Sequence, residues 1–417
     1  MEKDFMSTWT KQKIGEVSAV IPGFAFKSSD FSEQGKPIIK IKNIQSNFSV
    51  SINDCDFVND EVFEKRNLEK YRIRPKEALI AMTGATIGKV GRFTAEKKIY
   101  LNQRVALFRP QKINNDFLWS LLRSQKYQEI LKRIGGGAAQ ANMSSFQIEE
   151  IEIETPDLPT QTRIASVLSA YDDLIENNEK RIKRLEEMAQ LLYTEWFVKF
   201  KFPGHEKAKM VDSGTEYGKI PERWKVKKLG DFAKLISRGS SLTYVENGGI
   251  PVVNQRCVRN GLVQWEAVQY AKPLNNRSED LYLNKYDCLI NSMGVGTLGR
   301  VSRNLSILGK AIVHNCITLI RTQKPNTDSA YLYYFVKSKE NYFISSGVGA
   351  TGQTSLKPEI AANLLMLIPK ATILEKYSEV VIPMWNEMSL LLQKNQNLSS
   401  ARDLLIPQLV TGRRELK

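Results

Sequence analysis

The side chains able to do chemistry in this sequence are few and scattered. Its two histidines, His205 in a polar stretch beside Pro203-Gly204 and His314 before a β-branched run, supply no triad and no HExxH pair. The four cysteines, Cys55, Cys257, Cys288 and Cys316, contain no CxxC spacing and read as free buried thiols, with no zinc site expected. Met293-Gly294-Val295-Gly296-Thr297-Leu298-Gly299 has GxGxxG spacing, but a dinucleotide fingerprint needs a helix directly after it and an acidic residue about 20 positions on. Arg300-Val301-Ser302 reads as a strand or turn, and the first-half counterpart Thr83-Gly84-Ala85-Thr86-Ile87-Gly88 breaks the pattern. A turn between strands is expected, able to bring backbone amides with Thr86 and Lys89, or Thr297 and Arg300, to a phosphate. No run resembles the Asn/Asp-Pro-Pro-aromatic loop with which amino-methyltransferases hold a target base, so no catalytic or metal residue is assigned.

Basic and amide-bearing residues in corresponding loops are more informative. Lys40, Lys42 and Asn43 match Asn254, Arg256 and Arg259; Asn102, Gln103 and Arg104 match His314 and Asn315; Gln140 matches Gln353. Arg to guanine and Asn or Gln to adenine are the bidentate pairs of the major groove, while Lys, Thr and backbone amides position phosphates. Two copies of a scaffold with unlike side chains at the same loops would read two unlike sequences. The charge agrees: 60 Lys and Arg against 45 Asp and Glu leave +15 and a pI near 9.4, which favours a polyanion partner.

These loops recur because the chain repeats itself at an offset of about 210 to 215 residues. Trp9 with Ile14-Gly15-Glu16 returns as Trp224 with Leu229-Gly230-Asp231, Ala78-Leu79-Ile80 as Cys288-Leu289-Ile290, and Ile87-Gly88-Lys89-Val90 as Leu298-Gly299-Arg300-Val301. Short β-branched and aromatic runs between Gly, Asn and Pro predict a strand-rich α+β unit in each half, with a helix after Phe117 and one near Tyr331. The boundaries read as 1–157 for the first unit, 158–202 for a long helix, 203–370 for a linker and the second unit, and 371–417 for a second long helix.

The long helices carry heptad seams. Ile164, Leu168, Tyr171, Ile175, Asn178, Ile182, Leu185, Ala189, Leu192 and Trp196 alternate by four and three, as do Val381, Met384, Met388, Leu391, Asn395, Leu398, Arg402, Leu405 and Leu409. An antiparallel pair with Asn178 facing Asn395 fixes the register, matching Leu168 with Leu405 and Leu192 with Val381, and brings Arg402 beside Asp172 and Asp173. Pro383 predicts a kink or a break. No apolar run approaches a spanning helix, and a soluble, intracellular protein is expected.

At this point the whole chain resembles the DNA-specificity (S) subunits of type I restriction-modification systems. The resemblance rests on Trp9 with Ile14-Gly15-Glu16, on Ala78-Leu79-Ile80 leading to Gly84 and Ile87-Gly88, on Asn102-Gln103, on Pro156-Asp157-Leu158-Pro159 with Gln161 and Ile164-Ala165, and above all on Leu398 to Gly412. It implies two target recognition domains joined and separated by two antiparallel coiled-coil helices, and a bipartite, asymmetric double-stranded DNA site. It also implies two methyltransferase (M) subunits, restriction (R) subunits in the full complex, and a bacterial or archaeal cytoplasm. S-adenosylmethionine, ATP and Mg would then belong to the partners, with no cofactor in this chain. Two other readings stay open: an enzyme binding a nucleotide at Gly294 to Gly299, and a scaffold whose basic domains bind RNA or membrane without sequence preference.

Overall fold

The computed structural model describes residues 9–135, 142–246, 248–273, 279–306, 310–347 and 354–416. The chain forms two compact units, Met1–Asn177 with Asn395–Lys417, and Asn178–Lys394. The fold is α+β, and neither long helix is a separate body: each contributes one part of its length to each unit.

In the first unit an antiparallel sheet runs in the order Ser18–Pro22, Val105–Pro110, Ala78–Ala81, Val90–Arg92. All four residues of Ala78–Ala81 are buried, because both faces of this strand are covered. Ala78 and Ile80 enter one core with Phe117, Leu121, Ile164, Leu168 and Leu409. Leu79 and Ala81 enter another with Ile39 and Leu101 of a second sheet, ordered Phe31–Ser32, Asp56–Val58, Lys36–Ile39, Tyr100–Leu101. The second unit repeats the plan. Its Cys288 and Ile290 pack with Tyr331, Val381 and Trp385, while Leu289 faces Val253 and Val313. The first sheet here gains a hairpin, Val258–Arg259 with Leu262–Val263, at its far edge.

The central helix, Leu158–Tyr193, continues into a π-helical turn, Thr194–Val198. The closing helix runs unbroken over Ala371–Leu409, so Pro383 causes no break; it is exposed, where the carbonyl it leaves without a donor can meet water. Within the first unit Arg402 donates to Asp172 at 2.8 Å, and the Asn395 amide donates to the Ile175 carbonyl at 3.3 Å. Within the second, the Trp196 and Tyr377 rings lie 5.8 Å apart, one turn beyond the expected meeting of Leu192 with Val381. Asn178 and Asn395 stand where the two units divide.

Four sequence expectations need correction. The segment after Phe117 is two helices, Asn115–Arg123 and Gln125–Gly135, because Ser124 turns extended and its hydroxyl donates to the Leu121 carbonyl at 2.7 Å. Residues 203–221 are not a bare linker: Met210–Asp212 pairs with Lys219–Pro221, and Phe202 and Ile220 are buried with Trp224. Past Ala189 the buried line follows Tyr193 and Phe197 instead of Leu192 and Trp196, since this end of the helix packs against Tyr331 and Trp224 as well as its partner. Cys55 is only half-buried, while the other three cysteines are buried free thiols.

Candidate nucleic-acid interface

Backbone hydrogen bonds gather the corresponding loops of each unit at one edge. In the first unit the Asn102 N–H donates to Ile39, Gln103 to Phe24, Met82 to Arg104 and Met143 to Met82, all at 2.8 to 3.0 Å. In the second, His314 donates to Val253, Asn315 to Ser240, Ser292 to Cys316 and Leu356 to Ser292, at 2.8 to 3.0 Å. The junction is tight enough to need glycine: a Cβ on Gly23 would lie 2.3 Å from the Asn102 carbonyl oxygen, and one on Gly239 1.9 Å from that of Val313.

Within this edge the candidate residues divide into those that face out and those that hold the loops. Gln103, Arg104 and Arg256 are exposed, with no side-chain partner among the described residues. Asn43 and Asn254 are buried and satisfied. Asn43 accepts from the Lys40 N–H at 2.8 Å and donates to the Ser51 carbonyl at 3.1 Å. Asn254 accepts from the Arg256 N–H at 2.9 Å and donates to Gln269 at 2.8 Å and to the Tyr244 hydroxyl at 3.3 Å. Asn102 is also buried. Strand-end asparagines serve here as turn caps, the commoner use of that side chain.

Lys40 and Lys42 both bind Asp56, Lys42 at 2.6 Å, and the Lys40 ammonium lies 3.8 Å from the Phe31 ring centre. Burial would raise the Asp56 carboxyl, but the hydrogen bonds from Lys40 and then Lys42 hold it below the usual carboxylate range. In the second unit His314 stacks on Tyr244, with centres 5.8 Å apart and planes 21° apart, and its Nδ1 accepts from the Cys316 N–H at 3.3 Å. Burial draws the imidazole below its ordinary value, and the acceptor role at Nδ1 also requires the neutral form. Asn315 donates to Ser241 at 2.7 Å.

The glycine turns are joints between antiparallel strands. Gly84–Thr86 lies between Ala78–Ala81 and Val90–Arg92, and the turn through Gly294 to Gly299 joins Cys288–Asn291 to Val301–Arg303 with no helix after the glycines. This removes the geometry a dinucleotide site requires. Thr86 is half-buried with an unpartnered hydroxyl, Lys89 is half-buried, Thr297 turns back on the Gly294 carbonyl at 3.4 Å, and Arg300 donates to the Gly296 carbonyl at 3.0 Å. Arg259 sits apart in the added hairpin, next to the Asn260-Gly261 turn. Gln140 and Gln353 lie outside the described residues.

Sequence reasoning missed a brace behind each edge. Arg109 binds Glu77 at 2.7 Å and the carbonyls of Lys70 and Arg72; Arg321 binds Asp287 at 2.7 Å and the carbonyls of Asp280 and Tyr282. The repeat offset would have paired these arginines. Tyr244 was missed as well.

Both halves of the chain match one known family. The family model for the type I restriction modification DNA specificity domain matches residues 6–187 and again 221–372. This chain belongs to that family. Among curated relatives of the specificity family, the type I restriction enzyme MjaIX specificity subunit of Methanocaldococcus jannaschii is 28% identical over 82% of this chain and 78% of its own length. The HindI specificity subunit of Haemophilus influenzae is 23% identical over 71% and 77%. The crystal structure of a type I restriction-modification system S subunit from M. genitalium matches 98% of this chain and 97% of its own, with a TM-score of 0.56 at 15% identity, which shows a shared fold.

Proposed function

We propose that this specificity-family chain is the non-catalytic DNA-reading subunit of a type I restriction-modification enzyme, with each unit reading one half of a bipartite, asymmetric duplex site. The observation that carries this reading is the loop junction: the same four backbone hydrogen bonds occur in both units, while the side chains they present differ. Gln103 and Arg104 are the exposed candidates in the first unit; in the second they are Arg256, which is exposed, the half-buried Asn315, and the stack of exposed Tyr244 on half-buried His314. Arg, Gln and Asn supply the donor and acceptor patterns of base recognition, and lysines supply phosphate contacts.

The long helices act as spacer and as the docking surface for two methyltransferase subunits, with restriction subunits joining the full complex in the cytoplasm of a bacterial or archaeal cell. Methylation would use S-adenosylmethionine held by the methyltransferase subunits, and restriction would use ATP and Mg held by the restriction subunits. A direct test selects sites from a randomised duplex library with the chain assembled with its methyltransferase partners. Two unlike half-sites with an unread spacer are expected. Selection of one half-site only, or of no sequence, would overturn the reading.

A further inference from the structure

The pairing of strands makes four positions of one unit equivalent to four of the other. Ile38 pairs with Asp56 and Tyr100, as Val252 pairs with Gln269 and Ile312, so Asp56 and Gln269 occupy one position and Lys40 and Asn254 another. By the same ladders Phe31 corresponds to Tyr244, and two residues beyond Lys40 and Asn254 stand Lys42 and Arg256. The first unit fills these places with charge: Asp56 takes both Lys40 and Lys42, and Phe31 lies against the Lys40 ammonium. The second fills three of them with neutral groups, Gln269 accepting from Asn254 and Asn254 donating to Tyr244, and the fourth with Arg256, whose guanidinium is left without an ion pair among the described residues.

We infer that Asp56 is a positioning residue that restrains the first unit's attraction to duplex DNA of any sequence, by holding Lys40 and Lys42 away from backbone phosphate. Gln269 leaves the second unit without that restraint. The inference rests on the DNA-reading function proposed above. A phosphate approaching Lys40 or Lys42 must displace a carboxylate that carries the same charge as itself, so the attraction is reduced twice, by the occupied lysines and by repulsion. Sequence discrimination benefits, because phosphate contacts strengthen binding to every duplex alike, whereas base contacts strengthen binding to one. Asp56 and the lysine side chains are all partly open to solvent, at 30%, 31% and 52% exposure, so a phosphate can reach the pair.

The test measures binding of the full chain, assembled with its methyltransferase partners, to a duplex carrying its selected site and to an unrelated duplex, across a salt series. Asp56→Asn keeps an acceptor for the lysines and removes the charge. It should tighten binding to the unrelated duplex several-fold at low salt and steepen the dependence of log Kd on log salt by about one to two, as expected for one or two more phosphates engaged. The selected sequence should stay the same, and the ratio of specific to non-specific affinity should fall. In a Lys40→Ala/Lys42→Ala background the same change should have much less effect. The mirror variant, Gln269→Glu, should weaken binding to the unrelated duplex several-fold, and supplies an independent arm if Asp56→Asn does not fold. Unchanged or weaker non-specific binding by folded Asp56→Asn, or an effect that persists in full without the lysines, overturns the inference and leaves the DNA-reading function intact. A wild-type complex that selects no duplex sequence overturns that function, and the inference with it.

Discussion

Arg256 and Arg259 are neighbours in sequence with different surroundings. Arg256 leaves the loop junction unpaired, while Arg259 lies in the hairpin beyond it, next to the Asn260-Gly261 turn. Arg256→Ala should therefore cost about 1 to 3 kcal/mol of binding and relax one position of the second half-site. Arg259→Ala should leave the selected sequence unchanged, as library selection with each variant would show. His314 gives a prediction in pH. Its folded-state pKa is drawn below 6.5 by burial, so at mildly acidic pH the unfolded chain binds more protons than the folded one. The neutral imidazole's contribution is complete above about pH 6.5 and is lost as the pH falls below it. Thermal denaturation at pH 7.5 and 5.5 should show a drop in Tm that is smaller in His314→Gln. At this scale the sequence pointed to loops that the fold gathers at one edge, but not to which of their side chains face out. Asparagine at a strand end suits a base or a turn equally well, and burial chose the turn for Asn43 and Asn254. An aromatic at the start of a short edge strand carries no mark of exposure, which hid Tyr244.

The elements that steady each edge are tied by buried charge. Arg303 is almost fully enclosed, with its guanidinium 4.4 Å from the Tyr333 ring centre and 4.6 Å from that of Trp385, and it pairs with Glu186 of the central helix. Cation–π contact lowers the cost of the buried charge, but the carboxylate is its only anionic partner among the described residues. Glu186→Gln should destabilise the chain by about 3 kcal/mol, near the lower end of what breaking a buried pair costs, because Glu186 is partly exposed. Urea denaturation would check this, with a loss below about 1 kcal/mol assigning the support to the rings alone. In the first unit Asp172 joins Arg402 of the closing helix to Arg123 of the globular part, at 2.8 and 2.9 Å. The first of these contacts was legible from the heptads, since Arg402 interrupts the apolar seam opposite Tyr171 and needs the carboxylates beside it. The second was not: Arg123 sits in an ordinary amphipathic helix, whose spacing carries no sign of the helix it faces. Tyr193, Phe197 and Trp385 also escaped, because a two-helix seam describes only residues with a single neighbour helix, and these three meet a globular core as well.

At the scale of the molecule, the repeat and the long helices were plain in the sequence, and the division into units was not. The natural cut lay at the helix ends; the contacts place it at Asn177 and Lys394, within both helices. As spacers, the helices should be adjustable. Four residues inserted after Asn178 and after Asn395 add about 6 Å to each. We expect the preferred gap between half-sites to change by about one or two base pairs, with both half-site sequences retained; selection of the original gap by a folded variant would remove the helices from that role. The same division has a consequence in time. The first unit buries Ile164 and Leu168 with Ile406, Leu409 and Val410, which the ribosome supplies more than 200 residues later. At about 5 to 20 residues per second, the segment holding Ile164 and Leu168 waits on the order of ten to fifty seconds for the strand of chain that covers it. The second unit, Asn178–Lys394, buries Ala189 and Tyr193 with Val381 and Trp385, so it also waits for the closing helix, but its wait ends before that of the first. A chain released after Lys394 should therefore hold a protease-resistant second unit beside a first unit that is still cut readily, reversing the order in which the two were made.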